Sequence, residues 1–545
     1  MVTTKQDKEG LIFKLIEWSI NNKFLVIIFT IAIIVLGIWA MITTKVDAIP
    51  DLSDVQVIII TEYAGQGPQI VEDQVTYPLT SKMLSVPYAK DVRGYSMFGY
   101  SMVYIIFEDG TDIYWARSRV LEYLNGMRGQ LPEGVNPQLG PDATGLGWVF
   151  QYVLNSDKRS LEELRSIQDF FLKYELSSIP GVAEVASIGG FVKQYQVNLD
   201  PNKLASYNIP LQKVKMAIQQ SNNDVGGRLL EIGEMEFMVR ALGYIKSKED
   251  LENIAIGVQP NSGSPIYLKD VANIDIGPEL RRGIAEWNGE GETVGGIIVI
   301  RYGENALAVI NKVKERLNEL KKSLPADIKI DIAYDRSGLI SRAIDNLSNK
   351  LIEESIIVAL VIIAFLLHVR SSFVAIFTLP TAVLISFLIM RLQGINANIM
   401  SLGGIAIAIG AMVDASIVMV ENAATHLSAE NDKPPHERKS HWILILESAK
   451  EVGPAIFYSL LVITISFLPV FTLEQQEGRM FRPLAFTKTY AMAGAAILAV
   501  TIVPILIGYF VRGKIRKEED NPLTKILVKI YHPVVDFVMK RRWLV

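Results

Sequence analysis

Residues 403–422 read GGIAIAIGAMVDASIVMVEN. The run is apolar from Gly403 to Val413, meets one acid, and is apolar again to Val420 before Glu421. Extended back to Met400, it covers about 31 Å as a helix, enough to cross a hydrocarbon core. Seven helical residues turn about 700°, so Asp414 and Glu421 share a face two turns apart. An ionised carboxylate at that depth costs at least about 2.5–3.5 kcal/mol, so it must be protonated, paired or hydrated. Two readings stay open: a proton relay through Asp414 and Glu421, or a structural ion pair with a basic residue on another helix. Met412 and Met419 also share a face, but Met412 sits about 200° of helical turn from Asp414.

Around this span the sequence predicts five others: Phe24 to Ile42, Ile356 to Leu367, Val374 to Met390, Val452 to Leu473 and Leu484 to Val511. The first is preceded by Lys5, Lys8, Lys14 and Lys23 and is too long for a cleaved leader, with no A-x-A-like site after it. The second and third spans make a helical hairpin with Arg370 in the connection. Lys433, Arg438 and Lys439 lie between the fourth and fifth spans, and Arg512, Lys514, Arg516 and Lys517 follow the sixth. All these loops fall on one side with the N-terminus, which the bias of basic loops makes cytoplasmic. Lys488 is the one basic residue well inside another span, near its outer end and poorly placed for Asp414.

The expected layout is a cytoplasmic N-terminus (1–23), a first span (24–42), an extracytoplasmic insert (43–350), spans two to six (351–512), a cytoplasmic amphipathic linker (513–540) and the start of a seventh span (541–545). Within the insert, Val55–Tyr63 and Val103–Phe107 read as strands. Ser160 and Glu163 form a capping box for a helix to about Ser178, and Val182–Ile188 with Val192–Leu199 read as a strand pair. Gly295–Arg301, a helix from Ala306 to about Lys322, and Ile328–Tyr334 give strand, helix, strand. Two or three small α+β sandwiches fit this pattern. The two ends of the chain also match: Leu15–Val26 (LIEWSINNKFLV) parallels Val534–Val545 (VVDFVMKRRWLV), with Glu17 on Asp536, Trp18 on Phe537 and Lys23 on Arg542. That parallel predicts an N-terminal half built on an internal repeat.

Composition removes other classes. Half of the residues are hydrophobic and 21% are charged, so the chain has both membrane and aqueous parts. A net charge of −4 without a basic stripe excludes a nucleic-acid partner. There is no cysteine among 545 residues, so methionine is the soft metal ligand available. Gly508, Gly513 and Lys514 approach a phosphate-binding loop, but Ile515 replaces the required hydroxyl and no strand precedes it. No nucleotide motor is visible and the energy source is an ion gradient. His426, His436 and His441 fall in one basic, acidic and polar loop and read as solvated residues.

Four stretches carry a family resemblance: VDAIPDLSDVQV from Val46, GPDATGLGWVFQYVL from Gly140, GPELRRGIAEWNGEGE from Gly277, and GAMVDASIVMVEN from Gly410. Together they resemble the heavy-metal efflux branch of the resistance-nodulation-division superfamily, pumps of the CusA/CzcA kind, over the whole chain. The resemblance implies half of a twelve-span α-helical bundle with a large periplasmic insert of ferredoxin-like βαβ subdomains. It implies a homotrimeric inner-membrane proton antiporter, a secondary transporter rather than an enzyme, working with a complementary C-terminal half, a periplasmic adaptor and an outer-membrane channel. No cofactor is implied; the metal is cargo and the proton is the coupling ion.

By the resemblance Asp414 and Glu421 are the relay acids, and Met400, Met412, Met419 and Met492 match a methionine relay of the Cu(I)/Ag(I) type. The divalent-cation type has a D-F-G-x-x-x-D pattern, whereas Gly410-Ala411-Met412-Val413 precede Asp414 here. Leu280 and Ile507 depart from the copper/silver pattern, which commonly has methionine there, and the three-methionine cleft site of that branch belongs to the other half. The expected function is thus proton-driven Cu(I)/Ag(I) efflux. The alternatives are a divalent-metal (Zn, Co, Cd, Ni) or drug exporter, and a non-transporting truncated remnant.

Overall fold

The computed structural model describes residues 10–127, 129–259, 262–280, 283–366, 368–431, 433–434, 436–512, 521–541 and 543. Lys5, Lys8, Leu367, Gly513, Lys514, Ile515, Arg516, Lys517, Arg542, Leu544 and Val545 lie outside the described residues. Helix α1 (Leu11–Asn21) is amphipathic and leads directly into α2 (Lys23–Thr43), an uninterrupted apolar helix.

After α2 the chain builds two four-stranded antiparallel sheets of the same design. β1 (Gln56–Glu62), β2 (Ala89–Met97), β3 (Tyr100–Phe107) and β4 (Gln138–Leu139) lie in the order β2-β3-β1-β4. Helical residues 68–83 join β1 to β2, and α3 (Ile113–Asn125) joins β3 to β4. Strand β1 alternates: Val57 and Ile59 point into the core with Leu79 and Val120, while Ile58 and Ile60 are half-buried on the other face.

The second sheet uses β5 (Trp148–Asn155) and β6 (Val182–Gly189), then resumes after an insertion. That insertion holds β7 (Lys193–Leu199), the exposed hairpin of β8 (Val225–Ile232) and β9 (Met235–Ala241), β10 (Ala255–Val258), β11 (Pro265–Tyr267) and β12 (Ala272–Pro278). β13 (Val294–Ile300), α4 (Ala306–Leu320) and β14 (Lys329–Asp335) complete the order β14-β5-β13-β6. Both sheets thus have the βαββαβ connection of a ferredoxin-like fold.

The first helix of each unit carries a π turn at the same place, at 72–76 and 168–172. In each, a buried polar side chain reaches the sheet: Thr76 Oγ1 lies 2.7 Å from Ser101 Oγ, and the Tyr152 hydroxyl donates to Gln168 Oε1 at 2.8 Å. The expected capping box at Ser160 and Glu163 is present.

The predicted pairing of Val182–Ile188 with Val192–Leu199 is not what forms. β6 pairs with β13, and β7 pairs with β12 in a separate subdomain. Gly189 and Gly190 both adopt positive φ, 70° and 63°, and turn the chain out of one sheet into the other.

The helices α5 (Ser337–Leu366), α6 (Val369–Gln393), α7 (Ile399–Asn431), α8 (His441–Ile465), α9 (Gln475–Val500) and α10 (Ile502–Phe510) form the bundle, and α11 (Pro522–Lys540), with no buried residue, follows it. Among the described residues, five segments are long and apolar enough to cross a membrane: Lys23–Thr43, Val369–Gln393, Ile399–Asn431, His441–Thr472 and Gln475–Val500. The sixth expected span is the far end of α5. Its apolar part, from Ile356, rises only about 16 Å before the helix ends, and Glu353 and Glu354 precede it. Arg370 belongs to the first turn of α6 rather than to a loop. The run expected as Leu484–Val511 is broken at Thr501 into α9 and α10.

α7 and α9 are the tightest pair in the bundle. A Cβ at Gly404 would fall 2.4 Å from the backbone oxygen of Leu484. Thr487 Oγ1 donates to the Ser401 carbonyl at 2.8 Å, and Ser386 Oγ donates to the Thr487 carbonyl at 3.1 Å, joining α6 as well. On the opposite end of the bundle from the insert, Lys450 on α8 bonds Glu17 on α1 at 2.8 Å. Asn521, the N-cap of α11, donates to the carbonyls of Ala364 and Phe365, both at 2.7 Å, and so caps the end of α5.

Candidate functional site

Helix α7 is buried on one side and open along a stripe. Ile407, Gly410, Asp414, Val418, Glu421 and Thr425 are exposed at three- and four-residue steps, while Ile405, Ala408, Met412, Ser416, Met419 and Ala423 are buried between them. The two acids therefore stand on the outward face of an otherwise apolar helix. Asp414 has no hydrogen bond or ion pair to any described residue. Thr425 Oγ1 donates to the Glu421 carbonyl at 3.1 Å, within the same stripe.

Lys488 is not the counter-charge. It sits on α9 at 6% exposure, and its Nζ lies 3.2 Å above the Phe467 ring centroid, on the packed side of the bundle. Because the described part of the chain supplies no partner, Asp414 faces whatever covers this stripe: water, lipid or further protein.

Met412 and Met419 occupy the other side of α7, as the helical angles require. Met412 and Met419 are each 2% exposed and Met492 on α9 is fully buried, all in the single core of the bundle. Met400, near the start of α7, is half-buried. Thioethers on this face fill the space between α7 and α9, which is a packing role available to methionine anywhere and a soft-ligand position only if neighbouring helices part. Ile507 is buried in the same core. Leu280 lies far off in the insert, exposed, on a cavity of about 580 Å³ shared with Arg165, Glu279 and Glu286.

The three histidines are not gathered, and only His436 is in a loop. His426 is inside α7, with Nε2 2.7 Å from Glu451 Oε2 on α8, and Asn422 donates to the Ser448 carbonyl at 3.0 Å beside it. His436 lies 3.6 Å from Glu437, and His441 starts α8 with a ring nitrogen donating to the Gly508 carbonyl at 2.9 Å. Helix α7 simply runs longer than its apolar part, carried to Asn431 by Ala423, Ala424 and Leu427 on the buried face. Among the described residues no group of three or more histidine, aspartate and glutamate side chains is placed to hold a metal ion.

Where the bundle meets the insert there is a cavity of about 450 Å³ lined by Lys45, Asp47, Asp51, Arg301, Glu304 and Arg391, with Asn396 and Asn398 from the approach to α7. Two arginines bonded to the segment 47–54 escaped the sequence reading. Arg336, 5% exposed, donates from Nη2 to the Trp148 carbonyl at 2.9 Å and from Nη1 to Asp47 at 3.5 Å. Arg479, on the first turn of α9, donates to the Leu52 carbonyl and to Asp54, both at 3.0 Å, and bonds Asp109. Both join residues hundreds of positions apart, and no local pattern marks such pairs. The only sequence trace was the acid- and proline-bearing segment that follows α2.

Residues 15–545 match the AcrB/AcrD/AcrF family. The chain is 58% identical over 530 residues to the cation efflux system protein CusA of Escherichia coli (strain K12), covering 96% of this chain and 50% of that protein. It is 34% identical over 534 residues to the cobalt-zinc-cadmium resistance protein CzcA of Cupriavidus metallidurans, again over 96% of this chain and 50% of the relative. A crystal structure described as that of a heavy metal efflux pump superposes with a TM-score of 0.78 at 30% identity, covering 90% of this chain and 48% of that one. The chain spans about half the length of the curated relatives it matches.

Proposed function

This chain belongs to the AcrB/AcrD/AcrF family, in the heavy-metal efflux branch of the resistance-nodulation-division superfamily, and on that premise we propose that it forms the relay-bearing half of a proton-driven exporter of Cu(I) or Ag(I). The observation that carries the reading is Asp414, an acid without a described partner on the open face of an apolar helix. Leaving a carboxylate so placed costs stability, and a charge retained inside a span is by default a functional group. Asp414 would take a proton from one side and pass it by way of Glu421 to the other, the two lying about 10.5 Å apart along the helix.

Met400, Met412, Met419 and Met492 are the proposed soft-metal contacts, consistent with a chain that has no cysteine. The higher identity to CusA than to CzcA favours a monovalent cargo over a divalent one. The absence of a second acid in Gly410-Ala411-Met412-Val413 points the same way. The basic loops favour both termini and the α8 end at Ser440 in the cytoplasm, with residues 43–350 on the periplasmic side of an inner membrane. A homotrimer docked to an adaptor and an outer-membrane channel is the working assembly proposed by the same family membership.

The test is metal tolerance in a copper-sensitive host, with and without a polypeptide supplying the remaining half of the relatives' length. Tolerance to copper and silver is expected to rise only when both are made, with zinc, cobalt and cadmium tolerance unchanged. Tolerance to zinc, cobalt or cadmium without a gain for copper or silver would overturn the choice of cargo, and no gain for any metal would overturn the pump reading.

A further inference from the structure

The segment from Lys45 to Asp54, which follows the first membrane helix, is bonded to elements of both the bundle and the insert. On one side it runs beside the approach to α7 in a parallel bridge between Val46 and Ala397. Ala397 N donates to the Lys45 carbonyl at 2.8 Å, Asp47 N to the Ala397 carbonyl at 2.9 Å, and Ile399 N to the Ala48 carbonyl at 3.1 Å. The last of these satisfies an N–H in the first turn of α7 that the helix itself leaves open.

On the other side Asp47 holds the second sheet. Its Oδ1 accepts from Ala48 N at 2.6 Å and from Arg336 Nη1 at 3.5 Å. Arg336 is fixed in turn by the Trp148 carbonyl at the start of β5, and its own N–H donates to the Val149 carbonyl at 3.1 Å. Burial pushes the Asp47 carboxyl above its ordinary range, and the Ala48 N–H and the Arg336 charge oppose that push. Removing Arg336 would leave a half-buried acid without its counter-charge.

Five residues beyond Asp47, Arg479 of α9 grips the same segment through the Leu52 carbonyl and Asp54 and reaches Asp109 just beyond β3. Val55 then accepts from Phe107 N at 2.8 Å and β1 begins. One short strap is thus bonded to α7, to α9, to the second sheet and, through β1, to the first. The close packing of α7 on α9 at Gly404 and the Thr487–Ser401 hydrogen bond hold the two helices together as a pair.

We propose that residues 45–54 are a coupling strap that carries displacement of the α7–α9 pair into both sheets of the insert, with Arg336 and Arg479 as its positioning residues. The inference rests on the proposed pump for what is coupled, a proton movement at Asp414 and a cargo movement in the insert. The mechanical linkage itself rests on the bonds just described. Neither arginine is expected to touch proton or metal.

Two readouts test it. In inverted vesicles bearing the whole pump, silver-ion uptake and proton release are measured together under an imposed pH gradient. Arg479→Gln is expected to lower the ratio of silver moved to protons moved by about tenfold, within the usual span of coupling between sites, while proton flux persists. Arg479→Lys should recover part of the ratio. Asp54→Asn combined with Asp109→Asn, at half-exposed positions with little packing to lose, should reproduce the Gln variant. A purely structural role would lower both fluxes together and leave the ratio unchanged, and that result would overturn the strap.

The second readout is amide hydrogen exchange of the purified protein. Arg479→Gln should raise exchange in 45–54, at 397–402 and in β5 together. A rise confined to the first turns of α9 would overturn the proposal. Wild-type vesicles without pH-driven silver uptake would sink the pump reading, and the exchange experiment would still decide the strap.

Discussion

Adding one methyl group at Gly404 should separate the two helices on which the account depends. A Cβ there would stand 2.3 Å from Thr487 Oγ1, 2.4 Å from the Leu484 carbonyl oxygen and 3.1 Å from the Leu484 carbonyl carbon. Carbon and carbonyl oxygen rarely approach closer than about 3.3 Å, so α7 and α9 must part by nearly 1 Å. The threonine hydroxyl could rotate, although it would give up the Ser401 carbonyl, but the Leu484 oxygen is backbone and cannot. Forcing an extra carbon into a packed contact costs about 1–3 kcal/mol. Alanine also gains about 1 kcal/mol over glycine in helix propensity.

Gly403 isolates the packing effect, since a Cβ there meets nothing within 4 Å. The propensity gain is common to both variants, so the difference in stability between Gly404→Ala and Gly403→Ala is the overpacking alone. The shift is about 2–4 °C per kcal/mol for a fold of 150–250 residues and smaller for a longer chain, so that difference is on the order of a few degrees at most. The assay is tryptophan-fluorescence melting of the detergent-solubilised protein. Gly404→Ala should melt below wild type and Gly403→Ala at or above it. Equal melting of the two variants would refute the close α7–α9 contact.

Met412→Leu and Met419→Leu conserve volume in the bundle core and should cost less than about 1.5 kcal/mol each in melting experiments; if the thioethers contact cargo, copper and silver tolerance falls nonetheless, and full tolerance in the double variant would return these residues to a packing role. At the insert, the Asp327 carboxylate accepts from Arg159 Nε and Ser156 Oγ, both at 2.9 Å, which hold its pKa below the ordinary carboxylate value. A lowered folded pKa gives stability that is present above the ordinary value and lost as pH falls through the lowered one. Melting temperature followed from neutral to acid pH should therefore fall less in Asp327→Asn than in wild type, and parallel curves would show that this pair does not contribute.

The bundle was largely legible because helical periodicity is local. The angles between Met412, Asp414 and Glu421 follow from the helix alone, and the structure separates the acidic and methionine faces as those angles require. The strand and helix pattern around Ala306, and the capping box at Ser160, were legible for the same reason. Pairing was less so. Gly189-Gly190 reads as a hairpin turn, yet its two strands enter different sheets, because which strand joins which sheet is settled by residues a hundred positions away on β12 and β13. The apolar run from Ile356 was legible, but not that it is the last part of a helix that begins at Ser337 in the insert. Histidine 426 misled in the opposite sense, since polar residues mark loops only until a helix outruns its membrane segment. Arg336 and Arg479 carry no local signature at all.

Whether Asp414 moves protons or only holds the bundle together is decided by pH-driven silver uptake into inverted vesicles from cells making both halves. Asparagine is nearly isosteric with aspartate and carries no titratable proton. Asp414→Asn should reach normal membrane levels and show no uptake above the level without a gradient. Glu421→Gln, about 10.5 Å further along α7 and nearer the cytoplasmic mouth in the proposed topology, should reduce uptake less, because water can stand in for it there. Wild-type uptake by Asp414→Asn at normal membrane levels would contradict the account and make this carboxylate a structural group.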